Sequence, residues 1–274
     1  MASETIDVLE VATGTRLRYR RLGTGDPLVL LMGTAGSLGL WGPVEAGLAA
    51  RFDVIEFDYR GLGGSERGDG PITTASLAED TAAVLDALEV PRTHVLGWSL
   101  GSVVAQELAL RHPTRVGSLA LYGTWAKADR FGIAMLTALR SAWALGDLAA
   151  ALTSLGIAYS PELLSSPSFD AAVQQALPHL PSRPEQMRVV VEQFDADLAH
   201  DSHDRLADVV VPTLVLAGEQ DLIAPPWAGR AVADAIPGAR FALLTGAGSS
   251  HAMLWERTPE VLGFILEFLS QHPL

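Results

Sequence analysis

With 274 residues, 49% of them apolar, the chain has material for one large α/β domain with an insertion or for two small domains, and that composition argues against disorder. A net charge of -13, from 32 acids against 19 bases, argues against nucleic acid or an anionic membrane as partner, because both reward basic surfaces, and favours a small neutral substrate. Cysteine is absent, which removes disulfides and thiolate chemistry.

The segment Met1 to Val11 bears acids and no long apolar run, so neither a signal peptide nor a membrane anchor is expected and the cytoplasm is the default location. Asp7 to Gly14 and Arg16 to Gly23 alternate apolar and polar side chains around Thr13-Gly14-Thr15, predicting an antiparallel hairpin with one wet face at a sheet edge. Leu28 to Met32 is instead continuously apolar, as strands are when helices cover both faces. It ends in Gly33-Thr34-Ala35-Gly36-Ser37, which lacks the Walker lysine and the dinucleotide fingerprint and is better suited to presenting the Thr34 N–H than to holding phosphate. Phe52 to Asp58 is the next strand, leading to a glycine-rich turn, Tyr59 to Ser65, that Asp58 and Arg60 are expected to brace as a charge pair. Ser76 and Glu79 have the spacing of a capping box, opening a helix with the stripe Leu77, Ala78, Val84, Leu85 and Leu88 that Pro91 stops.

The apolar strand His94 to Trp98 then runs straight into a helix, Leu100 to Arg111, through Gly97-Trp98-Ser99-Leu100-Gly101. A serine wedged between strand and helix sits on a turn too sharp for a side chain on either flank, a need that Gly97 and Gly101 meet. Such a turn lifts the Ser99 hydroxyl above the sheet, and the Leu100 N–H opens into the same space at the positive end of the helix. His112 reads as a charge complement at that helix's C-terminus.

Gly117 to Gly123 is a further strand, after which the strand rhythm stops. From about Ala126 to Asp208 the chain turns to alanine- and leucine-rich helical stretches broken by prolines, a helical cap inserted between two strands. Acids and histidines gather there from Asp197 to Asp204, but so open a cluster reads as a hydrated return segment and no metal is assigned. Thr213 to Gly218 and Arg240 to Leu244 resume the buried strands, with a helix after Pro225-Pro226 between them. Asp221 and His251 lie in the loops just past these two strands. Thr258 is the expected N-cap and Pro259 the first position of a closing helix whose apolar face includes Val261, Ile265 and Phe268.

Strands alternating with helices imply a mainly parallel sheet, and in such sheets ligands bind outside the carboxyl ends of the strands. Ser99, Asp221 and His251 all fall at that end. A serine hydroxyl needs a base to take its proton as attack proceeds, a role that suits the His251 imidazole, with Asp221 fixing its tautomer. Asp129 is the alternative acid. Trp98, Trp125, Met253 and Trp255 adjoin these residues and are candidates to line an apolar pocket, Trp125 first among them because it follows a strand end and opens the cap.

Met32-Gly33-Thr34, Asp58 to Ser65, Gly97 to Gly101, Gly218 to Asp221 and Gly248 to His251 together resemble the α/β-hydrolase superfamily, over about Leu22 to Trp125 and Val209 to Leu269. Within it the chain is similar to enol-lactone hydrolases, cofactor-free haloperoxidases or perhydrolases, and polyketide methylesterases. The resemblance implies a mostly parallel eight-stranded sheet flanked by helices, with residues 1–125 and 209–274 as core and 126–208 as cap. It implies cleavage of an ester or lactone of a small apolar substrate through an acyl-Ser99 intermediate, with no cofactor. His251 would act as base and then acid, Asp221 would orient it, and the Thr34 and Leu100 N–H groups would hold the oxyanion. Two positions depart from the pattern: Met32 stands where most relatives have histidine, and Ser249-Ser250 precede the base where glycine is common. The elbow serine excludes the dehalogenases and epoxide hydrolases that use an aspartate nucleophile. C–C bond hydrolysis, perhydrolysis, and use of the fold as a ligand binder or cyclase are the alternatives. A small-molecule substrate is the expected partner, with no nucleic acid and no membrane, and homo-oligomerisation is left open.

Overall fold

The computed structural model describes residues 4–274; residues 1–3, the head of the acid-bearing segment noted above, lie outside the described residues. The strands are β1 (Glu4–Val11), β2 (Thr15–Gly23), β3 (Asp26–Leu31), β4 (Phe52–Phe57), β5 (Thr93–Trp98), β6 (Val116–Tyr122), β7 (Thr213–Gly218) and β8 (Arg240–Leu244). They form one sheet in the order β1-β2-β4-β3-β5-β6-β7-β8. The β1–β2 hairpin pairs antiparallel with itself and with β4, and every pairing from β4 to β8 is parallel.

Burial follows this order. Every residue of β4, β5, β6 and β7 is buried, whereas β2 begins in alternation and β8, at the far edge, mixes buried and exposed positions. The continuous apolar runs therefore mark strands covered on both faces, and the alternating runs mark the rims. Parallel neighbours need crossovers, supplied by helices Pro43–Ala49, Thr74–Ala87, Leu100–Arg111 and Pro226–Ala235. The first of these was not foreseen, since a helix of 7 residues is too short to show a stripe.

Three local expectations are corrected. The capping box starts earlier: Thr73 caps Thr74–Ala87 by accepting from Ser76 N, Ser76 Oγ accepts from Thr73 N, and Glu79 instead meets His112 Nε2 at 3.0 Å. Asp58 and Arg60 do not pair. Asp58 accepts from Leu38 N at 2.7 Å and Gly64 N at 2.8 Å and is ion-paired with Arg18, whose Nε lies 2.8 Å away, while Arg60 pairs with Asp80. The two acids divide the task, one bracing the loop and the other holding its arginine. In the closing helix, Thr258–Ser270, Arg257 is the N-cap, and the Thr258 hydroxyl donates backwards to Leu254 O at 2.8 Å.

Between β6 and β7 the insertion carries helices Arg130–Ala144, Leu148–Ser154, Pro161–Leu164, Phe169–Ala176 and Pro184–Ala199. Its two ends meet in an antiparallel bridge, Lys127 to Asp201, reinforced by Ser202 N donating to Ala126 O at 2.9 Å. The longest two of its helices are clasped by the Arg140–Asp195 ion pair. Among the described residues no helix is long and apolar enough to cross a membrane.

Candidate active site

β5 hands the chain to helix Leu100–Arg111 at Ser99, whose φ of 55° puts a residue with a side chain in left-handed space. Such strain persists only where neighbours over-determine it. Ser99 N donates to Tyr122 O at 2.9 Å, and Ser102 donates to Ser99 O from its backbone at 2.8 Å and its hydroxyl at 2.6 Å. A Cβ at Gly97 would collide with Gly101 O, and one at Gly101 with Leu31 O, so neither flank tolerates a side chain. The loop after β3 is drawn equally close: a Cβ on Gly33 would sit 3.2 Å from Ser99 Cβ. This approach places Thr34 in front of the serine. Among the described residues the Thr34 and Leu100 N–H groups have no protein acceptor, leaving two donors beside one hydroxyl.

Asp221 and His251 arrive from the loops after β7 and β8. His251 Nδ1 donates to Asp221 Oδ2 at 2.8 Å, and Asp221 Oδ1 accepts from Ile223 N at 2.9 Å and Ala224 N at 2.8 Å. Both side chains are buried. With Nδ1 held as donor, Nε2 is left as the accepting nitrogen of the ring. Space for the pair comes from Gly123, at φ 59°, where a Cβ would lie 3.0 Å from His251 Cε1. The two serines before His251 anchor its loop: Ser249 Oγ donates to Gly246 O and Ser250 Oγ to Glu256, each at 2.6 Å. Glu256 also accepts from Ser160 N at 3.0 Å and from the Ser160 hydroxyl, tying the insertion to the histidine loop. Asp129, the alternative acid, caps helix Arg130–Ala144 and accepts from Trp227 Nε1 at 3.1 Å, which takes it out of the site.

Ser99 and His251 open on one cavity, with about 670 Å³ of unfilled space partly open to solvent. Leu136, Leu139, Leu155, Tyr159, Leu180 and Phe194 of the insertion roof it, and Trp98 and Trp255 form a wall, their rings edge to face at 4.9 Å. Two expected lining residues are elsewhere. Trp125 faces a neighbouring hollow beside Asp129 and Trp227, because the chain turns away from the sheet as it enters the insertion. Met253 is fully buried against Gly218, since the short helix Met253–Glu256 turns its first side chain inward to β7.

Sequence reasoning missed Asp197. On helix Pro184–Ala199, with 1% of its surface exposed, it lines the cavity and accepts from Thr34 Oγ1 at 2.7 Å through Oδ2, while its buried Oδ1 has no partner among the described residues. Burial pushes its carboxyl up to about 8 against the lowering effect of Thr34, so the neutral acid prevails at neutral pH. A signal was available: Gln186, Val190, Gln193 and Asp197 recur at helical spacing and all are buried. The other residues of the run scatter. His200 is buried against Thr74 Oγ1, Asp201 pairs with Lys127 at the surface, and His203 is exposed.

An elbow serine, a histidine braced by a buried acid and two free N–H groups, assembled at the carboxyl ends of a parallel sheet, define a hydrolase of the α/β type. The family model described as alpha/beta hydrolase fold matches residues 26–258, and the chain belongs to that family as a hydrolytic enzyme. It is 33% identical to a protein described as the carbamate hydrolase RutD of Azorhizobium caulinodans, over 91% of this chain and 93% of that one. It is 32% identical to a protein described as the non-heme bromoperoxidase BpoC of Mycobacterium tuberculosis, over 93% and 97% of the two chains. Among solved structures, the enol-lactonase of Burkholderia xenovorans superposes with a TM-score of 0.82 at 27% identity, over 96% of this chain and all (100%) of that one.

Proposed function

We propose that the protein cleaves a carboxylic ester or lactone of a small, neutral, mainly apolar molecule through an acyl-Ser99 intermediate. The observation that carries the reading is the convergence of the strained Ser99 turn and the His251–Asp221 pair on one apolar cavity. His251 Nε2 takes the hydroxyl proton as Ser99 attacks the carbonyl carbon, and the developing oxyanion is held by the Thr34 and Leu100 N–H groups. The imidazolium then protonates the leaving oxygen, and the same base activates the water that releases the acid. Asp221 stabilises the imidazolium. The insertion serves as the cap that shapes the pocket. No lysine or arginine lines that cavity among the described residues, so an anionic substrate finds no counter-ion there.

Rapid mixing with a small chromogenic ester tests this: wild type gives a burst or steady turnover, and Ser99→Ala lowers kcat by about 10⁶-fold with folding retained. Full activity in a folded Ser99→Ala would overturn it. The likeness to a protein described as a bromoperoxidase supports a second reading in which hydrogen peroxide replaces water as acyl acceptor. Peracid formation from the same esters, dependent on Ser99, separates the two.

A further inference from the structure

We propose that Asp197 is the substrate-reading group of the Ser99 cavity. It selects a neutral, mainly apolar ester or lactone that carries a second oxygen within one or two carbons of the scissile carbonyl, and it hydrogen-bonds that oxygen through Oδ1. The inference rests on the hydrolase reading above, which fixes where the carbonyl sits.

Thr34 links the two positions. Its N–H is one of the free donors beside Ser99, and its hydroxyl donates to Asp197 Oδ2 at 2.7 Å. One residue therefore spans from the reacting carbonyl to the acid. Holding Thr34 explains Oδ2 but leaves Oδ1, a buried polar atom with no partner among the described residues in a wall otherwise made mostly of leucine and aromatic side chains. Native proteins leave few such atoms unpaired, and those that exist call for a ligand, a water or a catalytic use. A neutral carboxylic acid accepting at Oδ2 carries its proton on Oδ1, which makes it a donor to a keto, ether or hydroxyl oxygen. The ionisable groups around it are the phenols of Tyr59 and Tyr159 and the imidazole of His251, and no cation lines the cavity. Nothing there balances a charged Asp197, so in the free cavity the acid is neutral and serves as a donor to oxygen. A site built to bond a substrate oxygen discriminates sharply against the analogue without it, whereas a purely apolar wall does not.

The test compares methyl butanoate with methyl 3-oxobutanoate, methyl 3-hydroxybutanoate and methyl 3-aminobutanoate, plus the matching plain and 3-oxygenated lactones, by acid release from wild type, Asp197→Leu and Asp197→Asn. Wild type is expected to favour the oxygenated esters or lactones in kcat/KM by about 10- to 100-fold over the plain ones. Asp197→Leu should collapse that ratio to within about 2-fold, the oxygenated esters losing far more than butanoate, and Asp197→Asn, still a donor, should restore part of it. A merely structural role would lower all substrates together, and that result overturns the proposal. So does an unchanged ratio in Asp197→Leu, or a wild-type preference for the 3-amino ester. Absence of any turnover would overturn the hydrolase reading instead. In that event titration of Ser99→Ala with the same esters, followed by tryptophan fluorescence, still decides Asp197: tighter binding of the oxygenated ester, lost in Ser99→Ala with Asp197→Leu, supports recognition, and equal binding removes it.

Discussion

The floor of the cavity and its roof each contribute one buried aspartate, and the two are wired oppositely. Asp221, in the loop after β7, has both oxygens engaged by three N–H donors: two backbone amides and the His251 ring. Asp197, on a helix of the insertion, is as deeply buried but has one hydroxyl for a partner and an oxygen with none among the described residues. Dense N–H donation suits an anion, whereas desolvation with a single weak donor suits the neutral acid. Burial alone therefore says nothing of what an aspartate does; the number and kind of its donors decide whether it holds a charge or lends a proton.

Asp221→Asn erases the distinction from the floor side and has the largest expected effect. An amide cannot stabilise the imidazolium or hold the ring's tautomer, so kcat should fall by about 10⁴-fold with KM little changed in steady-state assays. Gly123→Ala leaves both acids in place but puts a methyl 3.0 Å from His251 Cε1, at a φ of 59° that disfavours any side chain. Displacing the ring by a fraction of an ångström should lower kcat by about 10- to 100-fold, while activity toward the apolar and oxygenated esters falls in parallel. A selective loss for one ester would break the separation of catalysis on the floor from recognition on the roof.

The smallest effect concerns stability. The Asp197 carboxyl is raised from an ordinary 3.8 to about 8 in the folded chain, so its contribution is complete below about pH 4 and is lost as pH rises through about 8. Asn carries no such dependence. Thermal unfolding of Asp197→Asn against wild type should therefore shift in the variant's favour by a few degrees between about pH 5 and pH 8. A constant difference would show that the roof acid is ionised throughout.

The floor was legible in the sequence because strand ends are marked by runs. β5, β7 and β8 each end within two residues of a glycine, so Ser99, Asp221 and His251 could be set at one edge before any contact was known. The same logic overreached nearby: Trp125 follows the end of β6 yet turns into the next hollow, and Met253 follows His251 yet packs inward. The roof was harder to read. Asp197 sits at the head of a run of acids and histidines that resembles solvated chain, and only the helical spacing from Gln186 shows that it faces inward while Asp201, four residues on, faces water. Capping boxes and ion pairs failed for a further reason: Thr73 with Ser76, and Arg18 with Asp58, win over nearer candidates through geometry that local composition does not encode.

The bridge between Lys127 and Asp201 has a consequence for descent. Because the insertion leaves and rejoins the sheet at one point, β6 and β7 need not shift when the excursion between them is rewritten. Its contents are free to drift as a unit, provided that the ties to the core survive, Ser160 to Glu256, Asp197 to Thr34 and Gln193 to Ala35 among them. A lineage of such chains can thus change diet while its reactive machinery stands still, exchanging one segment and leaving the rest of the gene alone.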